Sequence, residues 1–453
     1  MNFKDMQILV FGTGKSGIGA AHLLEELGAK PILFDGNDKA DADIIRSRVG
    51  ENCGLEIYTG ELPEEVMNRL DLAVLSPGVP VDSPAVKVLT DHGIRIWGEV
   101  ELAYRAGKGT VAAITGTNGK TTTTALTGKI LSDACPSVFV VGNIGTAYTS
   151  KVLEMTDDTI TVAEISSFQL ETIEKFAPKV SAILNITEDH LNRHHTMEEY
   201  IRVKERIAEN QSADDTCVLN YEDEALRSFG KTLKTKVIWF SSKRELPEGL
   251  FLRDDQIILR MNGEETLVVR TGDLQILGEH NYENVMAAVA IAWAFGIPVE
   301  SIRKSACAFT AVEHRIEFVT EKEGVVYYND SKGTNPDAAI KGIRAMNRPT
   351  LLIGGGFDKG SSYDEWIEAF DGKVVCLVLI GQTREKIKAA AERHGIENII
   401  LCEDLKEAVQ VCHDRARKGD AVLLSPACAS WGMFKNYEVR GQVFKEIVRK
   451  FKG

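Results

Sequence analysis

The chain of 453 residues is 44% apolar and 26% charged, a globular composition that excludes disorder, collagen and coiled-coil arrays. Its length allows about three domains, each able to bury a core. The net charge of -13, from 53 basic and 66 acidic residues, excludes a protein that coats nucleic acid or anionic membrane, because both need a basic face; small anions need only local positive charge.

The eight cysteines (Cys53, Cys135, Cys217, Cys307, Cys376, Cys402, Cys412 and Cys428) form no C-x-x-C pair, so neither a zinc ribbon nor a dithiol redox motif is written here. The start MNFKDMQILVFG runs at once into a strand and a glycine turn, unlike a signal peptide. The longest apolar run, 285–299, is short of the ~20 residues that span a bilayer and contains Gly296 and Pro298. These features predict a soluble cytoplasmic protein.

In chain order, the pattern predicts a strand at 8–11, a helix closed by Gly28, and strands at 31–34 and 72–75, with a first unit ending near Trp97-Gly98. A second unit begins with a strand at 111–114 and a threonine-rich helix. It continues with strands at 138–141, 159–163 and 180–184, a charged helix over most of 196–212, a small β insertion at 250–270 and an alanine-rich helix at 284–295. A third unit begins near Glu313, with strands at 325–328, 350–353, 374–380, 398–401 and 421–424 and helices between them. Such alternation implies mostly parallel sheets covered on both faces, with ligands at the carboxyl ends of the strands.

Two glycine turns follow strands and open helices. Gly12-Thr13-Gly14-Lys15-Ser16-Gly17 fits G-x-G-x-x-G, with Asp35 at the end of the next strand. This is a pattern for a phosphate or ribose at a helix N-terminus. Taken alone it allows a nicotinamide site, or glycines that serve packing only. Thr115-Gly116-Thr117-Asn118-Gly119-Lys120-Thr121 departs from the strict P-loop, since Ile114 stands where its first glycine would be. Strand, loop and helix are nevertheless in place, and the loop predicts ATP binding: Lys120 on phosphate oxygens, and Thr121 or Thr122 on Mg²⁺.

With this second loop, the chain resembles the Mur ligases, which build the peptide stem of peptidoglycan; folylpolyglutamate synthases share the general design. The resemblance also rests on Gly142-Asn143-Ile144-Gly145, Glu164-Ile165-Ser166-Ser167-Phe168-Gln169-Leu170, Thr187-Glu188-Asp189-His190, Gly278-Glu279-His280-Asn281-Tyr282-Glu283-Asn284, Asn329-Asp330-Ser331-Lys332-Gly333-Thr334-Asn335 and Leu424-Ser425-Pro426-Ala427-Cys428-Ala429-Ser430 with Phe434-Lys435. These motifs span essentially the whole chain. They resemble the branch of the family that acts on D-glutamate, and the Asp-Asn-Pro-Arg motif of the diaminopimelate branch is absent.

The resemblance implies an α/β fold of three domains: a Rossmann-like N-terminal domain (1–98) for a UDP-sugar, a central P-loop mononucleotide-binding domain (99–312) for ATP, and a Rossmann-like C-terminal domain (313–453) for the incoming amino acid. It implies ATP-driven amide formation through an acyl phosphate, with UDP-N-acetylmuramoyl-L-alanine, D-glutamate and ATP as substrates and two Mg²⁺ ions. The protein is expected to be a cytoplasmic monomer of peptidoglycan precursor synthesis that binds neither nucleic acid nor membrane. Domain closure on binding is a further expectation.

Site residues follow position by position. Gly116, Thr117, Asn118, Gly119, Lys120, Thr121 and Thr122 would cradle ATP, and Asn281, Asn284, Arg315 and Asp330 would contact the nucleotide. Asn281 is also placed to cap the alanine-rich helix. Glu164 is a hard oxygen ligand for Mg²⁺. His190 is a softer one that composition alone would leave structural. A lysine at 204, in a charged helix, is ordinarily solvated; the family counterpart carries a carbamate and lies near the metal. Lys332 would orient the acyl phosphate. Gly14, Lys15, Ser16, Asp35, Ser76 and Asn143 would hold the UDP substrate, with Lys15 in place of an apolar residue. Thr334, Lys359, Ser425 and Phe434 would form the D-glutamate pocket, although the spacing after Gly354-Gly355-Gly356 differs from the family pattern by one residue. Other classes remain open: a nicotinamide oxidoreductase using the Gly12 turn, a sibling ligase or folylpolyglutamate synthase, and a nucleotide sensor without turnover. Phosphate release with a panel of amino acids separates them.

Overall fold

The structure is a computed structural model describing residues 2–50, 55–143, 145–310 and 312–451; Cys53 and Ile144 of the sequence reading lie outside the described residues. It is a mixed α/β fold of three sheets, one in each of three domains. The chain divides into two compact units. One comprises the residues up to Arg270 together with Glu283–Ala306, and the other Thr271–Tyr282 with the residues from Cys307 onward. The first two sheets belong to the first unit and the third sheet to the second.

The first sheet holds β1 (Gln7–Phe11), β2 (Lys30–Asp35), β3 (Glu56–Thr59), β4 (Leu72–Leu75) and β5 (Ile96–Gly98) in the order β3-β2-β1-β4-β5, all parallel. Its central strands are apolar and buried on both faces, as parallel strands covered by helices must be. The strands β3 and β5, absent from the sequence reading, lie at the two edges. The first is polar and half-exposed and the second only three residues long, so neither shows an apolar run.

The central sheet has nine strands. These are β6 (Thr110–Thr115), β7 (Val138–Gly142), β8 (Ile160–Glu164), β9 (Val180–Ile183), β10 (Thr216–Asn220), β11 (Lys236–Ser241), β12 (Gly249–Arg253), β13 (Gln256–Met261) and β14 (Glu264–Arg270), in the order β14-β13-β12-β11-β10-β9-β6-β8-β7. The insertion expected at 250–270 is an antiparallel meander that extends this sheet past β11. The charged helix is shorter than its pattern suggested. It runs Met197–Glu205, capped by the Thr196 hydroxyl, and tightens into a 3₁₀ turn over Arg206–Ala208. The alanine-rich helix is longer, Glu279–Ala294, which takes Asn281 inside it rather than to its cap.

The third sheet holds β15 (Glu317–Lys322), β16 (Val325–Asn329), β17 (Thr350–Gly354), β18 (Val374–Leu379), β19 (Ile399–Leu401) and β20 (Ala421–Leu424), in the order β15-β16-β20-β17-β18-β19. Only β15, a half-exposed edge strand, is antiparallel. The helix Pro336–Arg344 follows β16. Its start is fixed twice, by the Asn335 side chain accepting from the Ala338 amide at 2.8 Å and by proline in the first turn. No helix among the described residues is long and apolar enough to cross a membrane.

The first glycine turn is set by packing at two of its positions. Gly12 has φ +105°, and a Cβ on Gly17 would lie 1.8 Å from the Gly12 carbonyl oxygen. That contact is with backbone and cannot be relieved by a side-chain rotation. Gly17→Ala is therefore expected to destabilise the chain by about 1–3 kcal/mol, read as a lower urea midpoint. An unchanged midpoint would contradict the packing described.

Candidate active site

At the carboxyl end of the first sheet, Asp35 closes β2. Its carboxylate accepts the Thr13 hydroxyl at 2.6 Å and the Asn37 amide at 3.1 Å. The Ser76 hydroxyl donates to the Gly12 carbonyl at 3.2 Å. Gly14 differs from its neighbours: its φ is ordinary and a Cβ there would meet nothing within 4 Å. Neither strain nor packing explains this glycine. It fronts open space at the start of the helix Lys15–Glu26, which no side chain caps. Such an uncapped start offers amides to an anion. Lys15 is exposed and makes no ion pair among the described residues, and Ser16 is half-buried beside it.

The central loop carries the densest constellation. Gly116 and Gly119 have φ +150° and +84°. A Cβ on Gly119 would come within 2.2 Å of Asn284 Oδ1, so Asn284 packs against bare backbone, and its Oδ1 also accepts the Thr123 hydroxyl at 3.3 Å. Asn185 fixes the loop by accepting the Asn118 amide at 2.8 Å on its side chain and the Thr117 amide at 2.9 Å on its backbone. Lys120 Nζ donates to the carbonyls of Gly116 at 2.8 Å and Thr117 at 2.9 Å. The Thr121 and Thr122 hydroxyls, in the first turn of the helix Lys120–Ala134, make no hydrogen bond among the described residues.

Lys204 donates to the same Gly116 carbonyl at 2.9 Å. It is 1% exposed, the opposite of a solvated helical lysine, and its Nζ stands 4.7 Å from the centre of the Tyr200 ring. The Tyr200 hydroxyl in turn lies 3.1 Å from Thr117 Oγ1. Burial, and then the charge of Lys120, push the Lys204 ammonium well below the ordinary lysine range.

Glu164 ends β8 and is 1% exposed. Asn143 Nδ2 donates to its Oε1 at 2.9 Å, while Oε2 is buried without a partner. A buried carboxylate oxygen left unpaired is costly. With the free Thr121 hydroxyl, the donor chemistry fits a hard cation such as Mg²⁺. The motif after Glu164 has a local reason as well: Ser166 and Gln169 form a reciprocal capping box that sets the turn leaving the strand. His190 takes a left-handed φ of +53°. Its half-exposed ring is 4.9 Å from that of Phe168, and Nε2 is 3.5 Å from Asp189.

In the second unit, Asn281 Nδ2 donates to the Leu277 carbonyl at 2.7 Å from inside its helix. Arg315 lies between two residues of left-handed φ, His314 and Ile316, and its Nε is buried without a partner. Asp330, just beyond β16, accepts the Ser425 hydroxyl at 2.7 Å and the Ile316 amide at 3.3 Å. Burial raises its carboxyl to about 7. Ser425 is fully buried, and its hydroxyl is the donor to Asp330. Phe434 is partly buried and packs against the apolar cluster of the third sheet. Lys332 Nζ is 5.5 Å from the centre of the Tyr437 ring, and the Thr334 amide donates to the Lys332 carbonyl at 2.8 Å. Lys359 is exposed above Trp431, 4.7 Å from the ring centre.

Three family models match the chain in succession: the Mur ligase MurD-like N-terminal domain over residues 6–98, the Mur ligase middle domain over 114–292, and the Mur ligase glutamate ligase domain over 314–428. The chain belongs to the Mur ligase family. It is 57% identical over 452 residues to the UDP-N-acetylmuramoylalanine--D-glutamate ligase of Lachnoclostridium phytofermentans, covering 100% of both chains. It is 44% identical to the protein of that name from Clostridioides difficile, again over 100% of both. Among solved structures, it shares its fold with the UDP-N-acetylmuramate-alanine ligase MurC of Thermotoga maritima (TM-score 0.60, 20% identity, 99% of this chain and 100% of the other). The same holds for the MurF ligase of that organism in complex with ADP (0.59, 18%, 99% and 96%).

Two buried groups of this Mur ligase escaped the sequence reading. Arg440, 1% exposed, donates to the Ser331 hydroxyl at 3.0 Å, the Ser331 carbonyl at 2.8 Å and the Cys428 carbonyl at 3.1 Å. It thereby ties the loop after β16 to the loop after β20. His194 is buried, with Nε2 2.9 Å from Ser167 Oγ. Its neighbour Arg193 pairs with Glu171 and also donates to the Val79 carbonyl at 3.0 Å. The charge-dense run 188–195 was the available signal for the second group; nothing local marks Arg440.

The Asp330 carboxyl gives a pH prediction. Its folded value, about 7, lies above the ordinary 3.8, so between these values the folded chain binds a proton that the unfolded chain has released. The contribution of Asp330 to stability is thus full at low pH and is lost as pH rises through about 7. Urea denaturation over this window should show a shallower pH dependence for Asp330→Asn than for the parent; identical slopes would contradict the assignment.

Proposed function

We propose that this Mur ligase joins D-glutamate to UDP-N-acetylmuramoyl-L-alanine with hydrolysis of ATP to ADP and phosphate, as a cytoplasmic monomer of peptidoglycan precursor synthesis. The observation that carries the reading is the 116–120 loop, with two lysines aimed at the Gly116 carbonyl, in a chain whose full-length relatives bear that activity in their names. The division into UDP-sugar (1–98), ATP (99–312) and amino-acid (313–453) domains goes with it.

The chemistry needs positive charge wherever anions meet. The substrate carboxylate attacks the γ-phosphorus of ATP, giving an acyl phosphate and ADP. The amine of D-glutamate then attacks the acyl carbon, phosphate leaves, and the nitrogen loses a proton. Both steps gather negative oxygens, so oriented cations and amides carry the catalysis. Gly116, Thr117, Asn118 and Gly119 present backbone to the phosphates, and Lys120 turns from its loop carbonyls to the γ-oxygens. Asn281, Asn284, Arg315 and Asp330 hold the nucleotide; the orphaned Arg315 Nε supports a missing anionic partner. Lys332 steadies the acyl phosphate.

Two Mg²⁺ ions, when bound, would offset phosphate charge; Thr121, Glu164, His190 and a carbamylated Lys204 are the residues that would hold them, with Thr122 beside Thr121. The neutral amine that burial favours at Lys204 is the form that adds CO₂. Gly14, Lys15, Ser16, Asp35, Ser76 and Asn143 hold the UDP substrate. Thr334 and Lys359 hold D-glutamate, Ser425 serves that pocket through Asp330, and Phe434 serves it by its backbone.

With UDP-N-acetylmuramoyl-L-alanine, ATP and a panel of amino acids, phosphate release is expected with D-glutamate alone. Equal rates with L-glutamate, or none with either, would overturn the reading. Lys120→Ala should lower turnover by about a thousandfold or more with an unchanged circular dichroism spectrum; retained activity would remove Lys120 from the mechanism.

A further inference from the structure

The exposed aromatic pair beside Lys359 has no role in the reading above. Trp431 is 53% exposed and Phe357 36%, and their rings pack edge to face with centroids 5.6 Å apart. The pair is held from beneath. The Phe357 amide donates to the Ala429 carbonyl at 2.9 Å, and the two residues form an isolated antiparallel bridge. That bridge joins the loop leaving β17 to the loop leaving β20, at the carboxyl ends of two adjacent parallel strands. Ligands of such sheets bind at this end.

The charge arrangement around the pair is selective. The carboxylate next to Lys359, Asp358, is committed elsewhere: it accepts the Gly360 amide at 2.8 Å and pairs with Lys386 at 3.3 Å. Lys359 itself makes no ion pair among the described residues. Its ammonium instead stands 4.7 Å from the centre of the Trp431 ring. An indole face attracts a cation without neutralising it, whereas a carboxylate in the same place would cancel the charge a ligand needs. An unrestrained lysine also loses rotamer freedom when fixed, and an aromatic platform removes part of that loss before the ligand arrives.

We propose that Trp431 is a positioning residue that holds the Lys359 ammonium, still uncompensated, for the side-chain carboxylate of D-glutamate. The inference rests on the assignment of Lys359 to the D-glutamate pocket. It makes Trp431 act through Lys359 rather than by touching the reacting atoms, and Phe357 fixes the plane of the indole.

Steady-state kinetics with D-glutamate varied, at saturating ATP and UDP substrate, test it. Trp431→Leu should raise KM for D-glutamate about two- to fivefold with kcat unchanged, and Trp431→Phe should restore most of the loss. Lys359→Ala should raise the same KM about tenfold or more, and in that background Trp431→Leu should add nothing. An unaltered KM in Trp431→Leu, a change confined to kcat, or an effect that persists in the Lys359→Ala background would each overturn the proposal. If Lys359→Ala leaves KM for D-glutamate untouched, the underlying pocket assignment fails, and the proposal with it. Melting curves of the variants show that the fold is kept, as the exposure of both side chains leads one to expect.

Discussion

The central site depends on one carbonyl oxygen. Gly116 O accepts Lys120 at 2.8 Å and Lys204 at 2.9 Å, which its two lone pairs permit. Two amines brought to a single oxygen repel when both are charged. Lys204 yields because it alone is fully buried, so the cost of its charge is paid in desolvation as well as repulsion. The geometry exists only because the loop adopts left-handed backbone at Gly116 and Gly119, with Asn284 pressed against the second of them. A side chain at either position would move the loop, and with it the point on which both lysines converge.

The rest of the molecule delivers groups to such points. All three sheets place their candidate residues at strand ends or in the loops just beyond: Asp35 on β2, Glu164 on β8, Asp330 after β16 and Ser425 after β20. Two candidate residues also carry buried polar atoms without partners, Glu164 Oε2 and Arg315 Nε. Native interiors rarely leave such atoms unpaired, so these read as sites built for ligands. The overall charge of -13 does not oppose anionic substrates, because the cations that matter are local. Much of the acidity is spent on the surface, as where Arg253 bridges Glu245 and Glu265.

Much of this was legible in the sequence, for physical reasons. The apolar strands β1, β4, β6, β16 and β20 announce themselves because both faces are buried, and the glycine turns because their spacing serves backbone approach. Glu164 was recognisable as the polar end of an apolar run. What was hidden depends on contacts distant in sequence. The burial of Lys204 comes from the packing of its helix against a loop 88 residues away, which helix periodicity does not encode. The hydrogen bond from the Ser425 hydroxyl to Asp330, 95 residues earlier, was equally hidden. Arg440 sits in an ordinary amphipathic helix, and only the fold shows that it binds two loops together. Asn281 lies inside the helix Glu279–Ala294 rather than at its start, where its residue type suggested a cap.

The account stands most directly on the protonation state of Lys204. A buried amine whose ammonium form is disfavoured by burial and by the charge of Lys120 is expected to take up CO₂ and to persist as a carbamate. Carbon-13 NMR of the protein equilibrated with ¹³C-labelled bicarbonate at neutral pH should show a slowly exchanging carbamate resonance that is absent from Lys204→Arg. A spectrum without that resonance, identical for the two proteins, would mean that Lys204 remains an ordinary ammonium and would contradict the account.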